Sequence, residues 1–164
     1  MKRTIHGITL LLLTAVMAAC AAGARTTTTS EPAGRRGIAE GDVKAITIYR
    51  SPTCSCCKEY EAYLAAAEYR VDVVEVADVS ATKRELGIPE SVWSCHSSKY
   101  GDYVLEGHVP IEALDKLVSE KPSIAGLALP GMPSGAPGMS GTKDAPLHVM
   151  SFDDSGTVAH YIAV

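Results

Sequence analysis

From Lys44 onward, apolar positions alternate between strand-like runs and helical stripes. Ala45-Ile46-Thr47-Ile48-Tyr49 is β-branched and predicts a strand, which Ser51-Pro52-Thr53 breaks. From about Cys54 the period changes. Tyr60, Tyr63, Leu64 and Ala67 recur at i, i+3, i+4 and i+7, one face of a helix. Val71-Asp72-Val73-Val74-Glu75-Val76 predicts a second strand, apolar enough to lie inside a sheet. Val79 to Leu86 reads as a short helix stopped by Gly87, with Pro89 beyond it. Ser97 to Tyr100 and Tyr103 to Glu106 flank Gly101-Asp102, a two-residue hairpin turn. Pro110 opens a helix whose buried stripe is Ile111, Leu114, Leu117 and Val118, and Pro122 follows its end.

The resulting order, β-α-β-α-β-β-α, is that of an α/β thioredoxin-like domain. A parallel first pair is joined by a helical crossover, and an antiparallel hairpin follows. We assign this domain to residues 43–127. Residues 128–164 form a C-terminal extension. Its first part, Leu129 to Gly141, is a Met/Gly/Pro-rich loop that excludes helix and strand. Its second part, Leu147 to Phe152 and Val158 to Ala163 around Asp153-Asp154-Ser155-Gly156, predicts a terminal β-hairpin.

The N-terminus follows a different pattern. Lys2 and Arg3 precede an apolar run, Ile8 to Met17, too short for a comfortable membrane span. Residues 1–19 read as a secretory signal peptide. Val16-Met17-Ala18-Ala19-Cys20 resembles a bacterial lipobox, so Cys20 is the expected lipidation site, with ordinary cleavage after Ala22 or Ala24 as the alternative. Residues 20–42 carry few apolar side chains and read as a flexible tether. The expected location is therefore the bacterial periplasm, with any membrane attachment made by a lipid anchor. The formal charge of −4 disfavours nucleic acid and anionic membrane surfaces as partners.

The chemistry lies in the cysteines. Cys54 and Cys57 stand three apart where the first strand gives way to a helix, the position of a thioredoxin-type redox pair. A helix N-terminus stabilises a thiolate, and thiolates attack disulfides and bind soft metals. Cys56 adds a third thiol to this short segment. Cys95-His96 lies just before the third strand, in a loop that faces the active-site helix in such folds. Four cysteines and a histidine could thus converge. Structural disulfides are the plain alternative in an exported chain, but cysteines this close enclose almost no loop and gain little by cross-linking. Met132 and Met139 each follow a Pro-Gly pair in the C-terminal loop. Thioether with thiolate ligands selects Cu(I) over zinc, whereas a structural methionine would simply fill a gap. His108, before Pro110, either caps a helix or faces the site. His148 and His160 read as surface or strand residues of the terminal hairpin. No paired general acid and base and no phosphate-binding glycine motif are present.

Ser51-Pro52-Thr53-Cys54-Ser55-Cys56-Cys57, Ser94-Cys95-His96, Glu106-Gly107-His108-Val109-Pro110 and Gly126 to Pro133 together resemble the domain-of-unknown-function 411 family, DUF411, which includes CopG-like exported copper-resistance proteins. The resemblance runs from about Lys44 to Val164. It implies a thioredoxin-like fold whose C-terminal extension helps bind metal, copper held at a Cys-x-Cys-Cys motif as one ion or a multinuclear cluster, and a place beside other envelope copper-resistance proteins. Cys54, Cys56, Cys57 and Cys95 carry over as ligands, with His96, Met132 and Met139 following less directly.

Three readings remain open on the residues. The first is a Cu(I)-handling envelope protein. The second is a thiol–disulfide or copper oxidoreductase using Cys54 as nucleophile and Cys57 as resolving thiol. The third is an interaction protein with a structural zinc site, which would need neither methionine.

Overall fold

A computed structural model describes residues 37–164; the expected signal peptide, Cys20 and the tether up to residue 36 lie outside the described residues. The elements are β1 (Ala45–Arg50), α1 (Ser55–Ala66), β2 (Arg70–Glu75), α2 (Val79–Glu85), β3 (Ser97–Tyr100), β4 (Tyr103–Glu106), α3 (Ile111–Glu120), β5 (Gly126–Ala128), β6 (His148–Phe152) and β7 (Val158–Ala163). The first seven follow the expected thioredoxin-like order. β1 pairs parallel with β2 and antiparallel with β3, and β3 pairs antiparallel with β4 through the two-residue turn.

The sheet is larger than the sequence pattern implies. It has seven strands in the order β2-β1-β3-β4-β5-β6-β7. The strand absent from the sequence reading is β5, whose three residues are too few to show a period. β5 pairs parallel with β4 and antiparallel with β6, so the terminal hairpin continues the main sheet.

Alternation along the strands divides the core between the two sheet faces. Leu105 and Leu127 join Ile46, Ile48, Tyr60, Leu64, Leu114 and Leu117 on one side, the side of α1 and α3. Their neighbours Val104 and Ala128 join Ile88, Val92 and Phe152 in a second cluster, as a period of two requires. Each fully buried leucine contributes about 1.5–3 kcal/mol.

One expectation is corrected. β2 does not lie inside the sheet: it is an edge strand, and Val73 and Val74 are each 40% exposed. Its valines favour extended backbone without being buried, and Asp72 and Glu75 place charge along the open edge. At the start of the described residues, Gly37 and Ile38 pack against the hairpin turn. Ile38 is buried, and Gly37 exchanges hydrogen bonds with Asp102 in the hairpin turn, its N–H donating to the carboxylate at 3.1 Å and its carbonyl accepting from the Asp102 N–H at 3.0 Å.

Candidate metal centre

The turn after β1 delivers the first cysteines. Arg50, almost fully buried, donates from Nε to Glu61 on α1 at 2.5 Å and from Nη1 to the Ser51 carbonyl at 3.1 Å and Glu75 at 3.0 Å. This fixes the strand end against the helix it precedes. The Cys54 N–H then donates to the Ser51 carbonyl at 3.1 Å, and Cys54 becomes the N-cap residue of α1. Its side chain makes no capping hydrogen bond and instead forms a disulfide with Cys57, which is completely buried. Cys56 remains a thiol, with its sulfur 3.6 Å from that of Cys54.

The hairpin delivers the opposite wall. Its two-residue turn pairs Ser97 with Glu106, and the Gly107 N–H donates to the His96 carbonyl at 2.9 Å. Continuing that register outward sets Cys95 across from His108. The Cys95 sulfur lies 2.9 Å from His108 Nε2 and 3.2 Å from His96 Nδ1. Gly107 is at φ +73°, and a Cβ there would run into the Ser94 side chain and the Leu129 carbonyl, so glycine lets the loops close on each other.

A buried ion pair holds the Cys95 loop in place. Lys83 of α2 pairs with Glu106 of β4, with side chains 4% and 0% exposed. The Glu106 carboxylate also accepts from the Ser94 N–H at 2.5 Å and the Ser97 hydroxyl at 2.6 Å. The Ser94 hydroxyl donates to the Gly131 carbonyl, tying in the C-terminal loop.

That loop closes the site from a third side. Gly138, at φ +74°, packs so tightly on α1 that a Cβ would meet the Tyr60 amide nitrogen and the Glu59 carbonyl carbon. The preceding Pro137 carbonyl sits 2.5 Å from His108 Nδ1. A carbonyl can only accept, so Nδ1 carries the proton and Nε2 turns its lone pair towards Cys95. This is the arrangement by which outer partners orient a ligating imidazole. Tyr60 fills the floor, with its ring centroid 5.0 Å from both imidazoles and its hydroxyl donating to the Val109 carbonyl at 2.8 Å.

Donor atoms therefore form two groups. The sulfurs of Cys54, Cys56, Cys57 and Cys95 lie within 4.8 Å of one another, as do single donor atoms of Cys95, His96 and His108. Cys95 belongs to both. Burial, followed by the proximity of Cys56, pushes the Cys95 thiol up to about 12. Burial also lowers both histidines, His96 well below its ordinary value, with His108, Lys83 and Arg50 adding to the effect. Both rings are thus held in the neutral form that binds metals. His96 Nε2 is buried with no hydrogen-bond partner.

The methionines separate. Met139 is partly buried and lines a surface pocket with Ser55, Cys56, Glu59 and Gly138, whereas Met132 is 56% exposed. Trp93 packs against the second core and donates from its indole to the Ile88 carbonyl at 3.0 Å. Sequence reasoning missed Tyr60 as a site residue, although i+3 from Cys57 already puts it on the neighbouring helix face. It also missed Lys83 and Glu106, for which no local pattern exists.

Residues 92–139 match the family described as "Protein of unknown function, DUF411". No curated protein matches the chain. Two solved structures do, titled "Copper resistance protein copG- Form 2" and "Copper resistance protein copG- Form 1". Each is 36% identical over 73% of this chain, covering 97% and 96% of theirs, with TM-scores of 0.68 and 0.67. The chain belongs to the DUF411 family. Its matched segment contains Cys95, His96, His108, Met132 and Met139, and the structural matches extend the likeness over most of the described domain. As a DUF411 chain with this cysteine cluster, it has donors suited to a metal ion. Among the described residues no helix is long and apolar enough to cross a membrane.

Proposed function

We propose that the protein binds Cu(I) through Cys54, Cys56, Cys57 and Cys95, with His96 and His108 completing the site beyond Cys95, and that it handles copper in the bacterial envelope as part of copper resistance. The observation that carries this reading is the sharing of Cys95 between the all-sulfur group and the sulfur–imidazole group. One shared thiolate can bridge two metal positions, so the arrangement suits more than one copper ion. Soft thiolates favour Cu(I). Met139 adds a thioether beside Cys56; Met132, being exposed, would need the loop to shift before it could ligate.

The Cys54–Cys57 disulfide represents the oxidised form. A dithiol reductant would open it to two thiols, itself becoming a disulfide, and the two thiols would lose their protons on binding metal. Export under residues 1–19, anchoring through Cys20, and work beside other envelope copper-resistance proteins complete the proposal.

The same disulfide favours a second reading, thiol–disulfide exchange. The Cys54 thiolate would attack a substrate disulfide and form a mixed disulfide. The Cys57 thiolate would then displace it, leaving Cys54–Cys57 oxidised and the substrate as a dithiol. Four cysteines alone would also accept zinc.

The deciding experiment is anaerobic Cu(I) titration of the reduced protein against a competing chelator, alongside Zn(II), with Cys95→Ser in parallel. Tight binding of more than one Cu(I), reduced in Cys95→Ser, is expected. Failure of the reduced, folded protein to take up copper would sink the proposal, and disulfide turnover without metal would favour the exchange reading.

A further inference from the structure

The histidines of the terminal hairpin stand outside the cysteine centre, yet the fold assembles them with a methionine. In the β6–β7 pair, His148 faces Ala163 and Val149 faces Ile162; the register then shifts, so that Met150 faces His160 and Ser151 faces Ala159. Without the shift, Met150 would face Tyr161, and His160 would face Ser151 on the opposite side of the sheet. The bulge absorbs Tyr161 as an extra residue and re-aims His160. His148, Met150 and His160 consequently share one face.

Two observations agree with this placement. The His148 and His160 rings are in contact, with centroids 5.7 Å apart and planes at 62°. Val149, between His148 and Met150, is buried in the core on the α1 and α3 side, which directs its two neighbours to the other face. Directly opposite residues hold their Cβ atoms about 4.5–5.5 Å apart, close enough for Met150 and His160 to share a ligand. Both imidazoles are exposed. His148 and Met150 also line a groove with Leu129, Pro130, Pro133 and Leu147, so the thioether sits against apolar surface.

Two imidazoles and a thioether suit copper. Imidazole alone accepts several divalent metals, and the thioether tips the choice to Cu(I). We infer that His148, Met150 and His160 form a second copper site on the surface of the hairpin, which takes Cu(I) independently of the cysteine centre. Packing of two histidines on an exposed strand pair is the alternative, and it predicts no metal uptake.

The test uses the full chain with all five cysteines replaced by serine, checked for folding by circular dichroism and titrated anaerobically with Cu(I) against a chelator. Uptake of about one equivalent is expected. His148→Ala and His160→Ala should each weaken it by more than about 100-fold, exceeding the roughly 10–100-fold loss usual for an outer partner. Met150→Leu should weaken Cu(I) binding and leave Cu(II) binding unchanged. No uptake by the folded serine chain, or uptake indifferent to His148→Ala and His160→Ala, overturns the inference. A measurement on the wild-type chain decides the matter if the serine chain fails to fold. After the cysteines are saturated with Cu(I), further Cu(I) should shift the ring-nitrogen resonances of His148 and His160. Unmoved resonances overturn the inference equally.

Discussion

Replacing Lys83 by methionine tests whether the buried ion pair holds the metal-site loop. Lys83→Met keeps most of the side-chain volume and removes the charge, stranding the Glu106 carboxylate at 0% side-chain exposure. Breaking a buried pair on one side costs about 3–5 kcal/mol, because the remaining charge has lost its partner. At about 2–6 °C per kcal/mol for a domain of this size, the melting temperature of the reduced, metal-free protein should fall by roughly 6–30 °C. The double variant Lys83→Met/Glu106→Gln separates charge from geometry. A glutamine at 106 can still accept from the Ser94 N–H and can donate to Ser97, so it leaves no buried charge and few unmet hydrogen bonds. It should recover all but about 1–2 kcal/mol. Chemical denaturation of the three proteins gives these differences, and Cu(I) titration of the same samples reads the loop. Affinity should fall in Lys83→Met and largely return in the double variant. A loss below about 1 kcal/mol in Lys83→Met, or a double variant no more stable than the single, would refute the reasoning.

Further expectations concern the other walls of the site. Gly138→Ala should destabilise the protein by at least about 1–2 kcal/mol, since alanine resists the left-handed backbone and its Cβ would strike the backbone of α1; weakened copper binding should accompany the loss as Pro137 leaves His108. Tyr60→Phe removes the buried donor to the Val109 carbonyl and should cost about 1–3 kcal/mol by denaturation, while retaining the ring between the two imidazoles and hence most copper affinity. Met139→Leu should weaken Cu(I) binding more than Met132→Leu, because only Met139 lies beside Cys56; equal effects in competition titrations would show that the loop rearranges around the metal.

The element order was legible because each segment carried its own signal: a β-branched run at Ala45 to Tyr49, a helical stripe from Tyr60 to Ala67, a two-residue turn at Gly101-Asp102. What failed depended on neighbours. The valines of β2 announce a strand but not its place at the edge. Gly126 to Ala128 is a strand only because β4 and β6 lie on either side of it. The cysteines were visible by spacing alone. His108 was half legible: the predicted turn already sets residue 95 across from residue 108, but the Pro137 contact that orients the ring arises from a distant loop. The ion pair of Lys83 and Glu106 had no sequence signature, since it joins a helix to a strand 23 residues away. The bulge that re-aims His160 was equally invisible, because one extra residue leaves no mark on a strand's composition.

The hydrogen-bond chemistry around Cys95 gives a reason for a cation to be favoured there. His108 Nδ1 is committed as donor to Pro137, so Nε2 is an acceptor facing the Cys95 sulfur. The second acceptor position depends on His96, whose Nδ1 also faces that sulfur and whose Nε2 meets nothing. If His96 carries its proton on Nδ1, Nε2 is left as a buried, unpaired acceptor. If the proton is on Nε2, a buried donor is unpaired, and two ring lone pairs compete for the single proton of Cys95. Either tautomer leaves a buried polar group unsatisfied, at about 1–3 kcal/mol. A positive ion between Cys95 and the imidazoles would instead end the competition at the two ring nitrogens that face the sulfur. It replaces the contested thiol proton and accepts both facing lone pairs at once, leaving only the His96 Nε2–H to find water or a small shift. The competition of two imidazole lone pairs for one proton is what a soft cation would remove, and it sits at the thiol shared with the all-sulfur group.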